Sequence, residues 1–212
     1  LQVDGEKELG GYFRELEQLL AGIHLIREVS PRIQARVMGL GELMATRLGA
    51  AYLARVGIKV TWLDARELLR SNMPPGTNER SAWLAANCDF DPDAELQARF
   101  AAEAGVVLTQ GFIASNARGD GVLLGRGGSD TSGAYFAAKL QAAVLEIWTD
   151  VPGMFTANPK VVPGARLLRL LSYEEAQEIA STGGSVLHPR CIRPCKRHDI
   201  PLKVLCTSQP EL

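Results

Sequence analysis

The sequence predicts an α/β domain, a three-layer α/β/α sandwich in which a mainly parallel sheet carries helices on both faces. Three observations carry that expectation. Short β-branched runs, such as Val106–Leu108 and Leu202–Cys206, alternate with longer amphipathic stretches, the signature of βαβ units. Apolar residues fill 46% of the 212 positions and charged residues 22%, which supports a packed core and excludes disorder. Lys plus Arg number 23 against 24 Asp plus Glu, so a net charge of -1 offers no field to hold nucleic acid or an anionic membrane.

The elements follow in order. Tyr12, Leu16, Leu19, Leu20, Ile23 and Ile26 recur at helical spacing and predict a helix over 12–29. Ser30 and Pro31 read as an N-cap and first-turn proline, opening a second helix that stops at Gly57. Residues 58–63 read as a strand, 71–81 as a polar loop and 92–104 as a helix. The apolar run from Val106 predicts one largely buried strand through Ile113. SNARGDG (115–121) is turn chemistry before a strand at 122–124. GRGGSDT (125–131) leads into a small-residue helix over 131–142, then a strand over 144–148. Ser172 and Glu175 form a capping box for a helix to Ser181, and 188–197 reads as a last helix before the last strand. A single domain accounts for this length.

Chemistry is expected in loops at the carboxyl ends of strands. In GRGGSD the glycines let a ligand approach the backbone, and the helix start presents free N–H groups to an anion. Arg126 supplies a fork for a carboxylate or phosphate, and Asp130 a partner for a cation; the competing reading is a tight turn in which Ser129 or Asp130 caps the helix. GLGE (39–42) sets two glycines in a helical pattern, each costing about 1 kcal/mol, so it reads either as backbone opened to let Glu42 face a cationic group or as a kink with a solvated glutamate. Thr149 and Asp150 end a strand, suited to a ribose or metal or to starting a turn.

His188, Cys191, Cys195 and His198 suggest zinc, but on one helix the ends lie roughly 15 Å apart, too far for one tetrahedral ion, which favours packed cysteines. Few cysteines, no long apolar run and charged residues near the start predict a cytoplasmic chain with no membrane span. No GxxxxGK[ST], GxGxxG after a strand or GxSxG occurs. The residues alone thus reach an α/β domain that binds a small anion or zwitterion.

TQGFIA (109–114), GRGGSDTS (125–132), TDVPGMFTANP (149–159) and VLHP (186–189), in this order, resemble the catalytic domain of aspartate kinase, in the amino acid kinase family. The flavour of ASTGGSVLHPRC resembles the kinase half of proteins fused to diaminopimelate decarboxylase. The resemblance implies phosphoryl transfer from MgATP to the side-chain carboxylate of L-aspartate, giving 4-phospho-L-aspartate for lysine, threonine and methionine synthesis. ATP and Mg²⁺ are the implied cofactors, with L-aspartate as substrate and a homo-oligomer as an expectation. By motif position, Arg126 and Asp130 are implied as catalytic, with Glu42, Phe112 and Ser129 completing the aspartate site. Thr149, Asp150, Phe155, Lys160, Ser185 and Val186 are implied for the nucleotide.

The family's opening KFGGTS strand and phosphate loop has no match here, and no ACT domains follow, so the chain reads as a fragment expected to be marginally stable. Ser185 stands where many relatives have lysine, and Lys160 where arginine is frequent. Two alternatives stay open: a kinase of glutamate, acetylglutamate or carbamate, and a non-catalytic binding module.

Overall fold

Asp4 opens the first helix of the computed structural model, which describes residues 3–158, 161–182 and 186–211. Its carboxylate accepts the Lys7 N–H at 3.1 Å, and Arg27, at φ 55°, closes α1 (Gly5–Ile26). The helix therefore begins well before Tyr12, because the cap and not the apolar stripe sets its start. Ser30 caps α2 (Pro31–Arg55) as expected, accepting the Ile33 N–H at 3.3 Å. The helix continues through Gly39 and Gly41, so GLGE does not open the backbone; Gly39 is buried and faces Ile113.

After β1 (Val60–Trp62) come α3 (Ala65–Leu68), β2 (Ser71–Asn72), α4 (Glu79–Leu84), β3 (Asn87–Cys88), α5 (Ala94–Ala102) and β4 (Val106–Leu108). Strands β1 and β4 pair in parallel, Val60 opposite Val106 and Trp62 opposite Leu108, while β2 and β3 pair antiparallel. The single strand expected from Val106 to Ile113 is two: β4 ends at Leu108 and β5 (Ile113–Ser115) starts after a sharp reversal at Phe112. Then β5 runs antiparallel to β6 (Gly121–Leu123), Ile113 opposite Leu123. The connection is too short for a crossover, and Asn116 closes it by accepting the Asp120 N–H on its side chain at 3.0 Å.

Helix α6 (Gly128–Leu140) starts earlier than residue 131, which puts Ser129 and Asp130 in its first turn. Strand β7 (Leu145–Thr149), α7 (Tyr173–Ser181), α8 (Pro189–Arg197) and β8 (Leu202–Cys206) complete the chain. The Ser172–Glu175 capping box forms as read, and β7 and β8 pair in parallel from Leu145–Leu202 to Thr149–Cys206. The α/β class thus holds, with two parallel and two antiparallel strand pairs among the described residues.

The chain, read from sequence as one domain, falls into two compact units. One comprises the residues up to Asp89 and from Asp93 to Ser129; the other, Phe90–Pro92 and the residues from Asp130 onward. The first packs α2 and its strands around Leu40, Leu43, Leu69, Ile113, Leu123 and Leu124. The second gathers Ala134, Ala138, Ile147, Leu187, Cys191, Ile192 and Cys195.

Candidate active site

In the first unit the chain reverses at Phe112. The Ile113 N–H bonds to the Gly111 carbonyl at 2.8 Å, enclosing Phe112 at φ 68° in a γ-turn, a rare and strained form for a bulky residue. Such strain persists where surrounding structure enforces it, and here the Phe112 carbonyl accepts the Leu124 N–H at 2.8 Å. Two glycines let the turn seat against the start of α6. A Cβ on Gly128 would lie 2.6 Å from Phe112 Cδ2, and one on Gly111 would lie 3.1 Å from Ser129 Cα and Oγ. TQGF and GRGGS, separate in sequence, therefore interlock, with Arg126 exposed just ahead of the helix and Ser129 exposed in its first turn.

Glu42 is half-buried on α2, and burial raises its carboxyl above the ordinary value. Among the described residues no side-chain hydrogen bond or ion pair engages it. One turn further on, the Thr46 hydroxyl donates to the Glu42 main-chain carbonyl at 2.9 Å and accepts from Gln110 Nε2 at 2.8 Å and from Trp62 Nε1 at 3.1 Å.

In the second unit Asp130 is half-buried, and desolvation pushes its carboxyl up. His188 opposes that shift, through its charge and through its main-chain N–H, which donates to the carboxylate. The HP pair of VLHP is therefore tied to the first turn of α6. At the carboxyl ends of β7 and β8, Thr149 Oγ1 meets the Asp150 carboxylate at 3.1 Å. The Thr149 carbonyl accepts twice from Thr207, from its N–H at 2.9 Å and its hydroxyl at 3.1 Å. Phe155 pairs across an isolated bridge with Leu167, and Val186 packs half-buried against the core. Lys160 and Ser185 lie outside the described residues.

Cys191 and Cys195 are buried free thiols, pushed by burial up to about 12 and about 11, as the packed-cysteine reading requires. His188 caps α8, its Nδ1 accepting the Arg190 N–H at 3.3 Å. No described helix is long and apolar enough to cross a membrane.

The model of the amino acid kinase family matches residues 10–206. The chain belongs to that family. It is 37% identical over 201 residues to lysine-sensitive aspartokinase 3 of Escherichia coli K12, covering 92% of this chain and 44% of the relative. It is 36% identical to a bifunctional aspartokinase/homoserine dehydrogenase of Haemophilus influenzae, covering 93% of this chain and 23% of that one. The crystal structure of E. coli aspartokinase III in complex with aspartate and ADP superposes with a TM-score of 0.84 at 33% identity, over 97% of this chain and 44% of that chain. The chain thus spans less than half the length of these relatives.

Within this amino acid kinase fold, the structure brings Phe112 and Ser129 together and places Glu42 on a helix tied through Thr46 to the residue two before Phe112. Sequence reading passed over Thr46, Gln110, His188 and Thr207 as participants here. Gln110 gave a signal, an amide inside the apolar run VVLTQGFI, and His188 stood in the VLHP motif, although its main-chain N–H was not read as the acting group. Thr46 and Thr207 act through remote partners, which no local pattern marks.

Proposed function

We propose that this chain is catalytic-domain sequence of an aspartate kinase, transferring the γ-phosphoryl group of MgATP to the side-chain carboxylate of L-aspartate. The observation that carries the reading is the strained Phe112 turn locked into the Gly128–Ser129 helix start, in a chain that superposes at a TM-score of 0.84 on an aspartokinase holding aspartate and ADP.

The side-chain carboxylate is already a nucleophile and needs no general base. One of its oxygens bonds to the γ-phosphorus as the bond to the bridging oxygen breaks, giving 4-phospho-L-aspartate and ADP. The protein's task is alignment and charge neutralisation. Arg126 is exposed with its guanidinium available to pair the substrate carboxylate, and Glu42 supplies a half-desolvated anion for the ammonium. Phe112 and Ser129 form the wall beside them, and Asp130 orders the VLHP segment through the His188 N–H. Thr149, Asp150, Phe155 and Val186, with Lys160 and Ser185, are assigned to the nucleotide. The Asp150 carboxylate and Thr149 hydroxyl are hard oxygen donors at a strand end, suited to a ribose or to Mg²⁺ arriving with phosphates.

A place for the product on the route to lysine, threonine and methionine is part of the proposal, and the name of the lysine-sensitive relative supports its lysine branch. A cytoplasmic setting is part of the proposal, supported by free, buried cysteines. So are a homo-oligomer and a fused diaminopimelate decarboxylase half; the bifunctional Haemophilus relative is named for homoserine dehydrogenase instead.

Calorimetric titration with L-aspartate in the presence of Mg-ADP tests the reading, with L-glutamate and N-acetylglutamate as controls. Saturable heat selective for L-aspartate supports it. Equal binding of glutamate points to another amino acid kinase, and folded protein that gives no heat with any of them removes the proposal for this chain.

A further inference from the structure

The Thr46 hydroxyl is saturated. It donates to the Glu42 carbonyl at 2.9 Å, shared with the more distant Leu43 carbonyl at 3.3 Å, and accepts from Gln110 and Trp62, filling one donor and two acceptor positions. Gln110 is 1% exposed and uses the other end of its amide to accept the Ala65 N–H at 2.8 Å, one of the orphan donors at the start of α3. Four segments thus meet on one buried and one half-buried side chain: the Glu42 turn of α2, Trp62 of β1, Ala65 of α3, and the residue that leads into the Phe112 turn.

Two features take this network beyond ordinary core satisfaction. A threonine that bonds back to the carbonyl four residues earlier bends and fixes the helix at that carbonyl, and the carbonyl here belongs to Glu42 itself. The Glu42 carboxylate has no side-chain partner among the described residues, so its placement depends on the backbone beneath it. At the other end, Gln110 is covalently followed by Gly111 and Phe112, whose positive-φ turn needs its flanks held.

We propose that Thr46 and Gln110 are positioning residues of the amino-acid subsite: their shared hydrogen bonds fix the Glu42 turn of α2 relative to the Phe112 turn, and so set the spacing between ammonium acceptor and aromatic wall. This rests on the aspartate kinase reading of Glu42 and Phe112. The pair touches no substrate and acts only through those two residues.

The test compares Thr46→Val, Gln110→Met and Thr46→Ser with the parent chain, by titration with L-aspartate and separately with Mg-ADP. Thr46→Val and Gln110→Met are expected to weaken L-aspartate about tenfold or more while Mg-ADP affinity stays within about twofold. Thr46→Ser restores the hydroxyl and is expected to recover the aspartate affinity. Retained aspartate affinity in folded Thr46→Val, or parallel loss of both ligands, overturns the proposal. Should Thr46→Val fail to fold, Gln110→Met decides, because it keeps the side-chain length and leaves Thr46 and Trp62 bonded. If the parent chain binds no L-aspartate, the kinase reading is what fails. The positioning is then read without ligand, from the carboxyl carbon resonance of Glu42. A changed titration midpoint in Gln110→Met that is absent in Thr46→Ser supports it, and identical curves in all three overturn it.

Discussion

The ring of Phe112 lies against the backbone of Gly128, close enough that a Cβ on the glycine would come 2.6 Å from Cδ2 of the ring and 3.2 Å from Phe112 Cα. The second distance is to main chain, which cannot swing away. Gly128→Ala is therefore expected to cost about 1–3 kcal/mol and to weaken L-aspartate binding, as read by urea denaturation and titration. A variant with parental stability and affinity would show that the turn can relax.

Phe112 has φ 68°, a conformation that costs an L-residue about 1–2 kcal/mol and costs glycine nearly nothing. Phe112→Gly should therefore be more stable than Phe112→Ala by about 1 kcal/mol, although both lose the ring. Thermal melts of the two variants side by side check this. An alanine variant as stable as the glycine variant would mean the γ-turn does not survive in solution.

Burial raises the carboxyl of Asp130, with His188 opposing, and burial raises that of Glu42. A carboxyl whose folded pKa exceeds its unfolded value favours the native state most when protonated. That contribution is complete below the unfolded value, 3.8 for Asp130 and 4.5 for Glu42, and is lost as pH rises through the folded value. Asp130→Asn keeps an oxygen to accept the His188 N–H and removes the charge. It should be more stable than the parent at pH 7, with the advantage vanishing as pH falls below the ordinary carboxylate range. Urea midpoints across that range report the trend, and a parent chain gaining on the variant at neutral pH would contradict it.

Cys191 and Cys195, raised to about 12 and about 11, carry almost no thiolate near neutrality and are buried. Iodoacetamide at pH 8 should leave both unmodified in the native protein and modify both in guanidinium, as peptide mass analysis would show. Rapid native labelling at either position would place it outside the core.

Ser172 accepts the Glu175 N–H on its hydroxyl at 3.2 Å, while the Glu175 carboxylate accepts the Ser172 N–H at 2.8 Å. Ser172→Ala should cost about 1 kcal/mol by denaturant unfolding. Because the cap is remote in sequence from every residue assigned to L-aspartate, the affinity for that ligand should not change; a large loss would tie α7 to the site.

The sequence by itself determined the α/β class, most helices and the motifs that mark the family. Caps such as Ser30 and Ser172 act within one turn of the chain, and helical or alternating apolar spacing is a local property, so both are legible in one dimension. The run from Val106 to Ile113 misled because hydrophobicity reports burial, and a buried chain can still reverse; only the packing of Gly128 and Leu124 around Phe112 forces that reversal. GLGE misled for the converse reason, since Gly39 can occupy a helix when its bare face packs near Ile113. Tertiary structure alone decided that Thr46 and Gln110, remote in sequence, share one hydrogen bond, and that Asp130 accepts the His188 N–H. Each such bond depends on which distant group reaches a half-buried polar side chain, and that is settled when the elements pack.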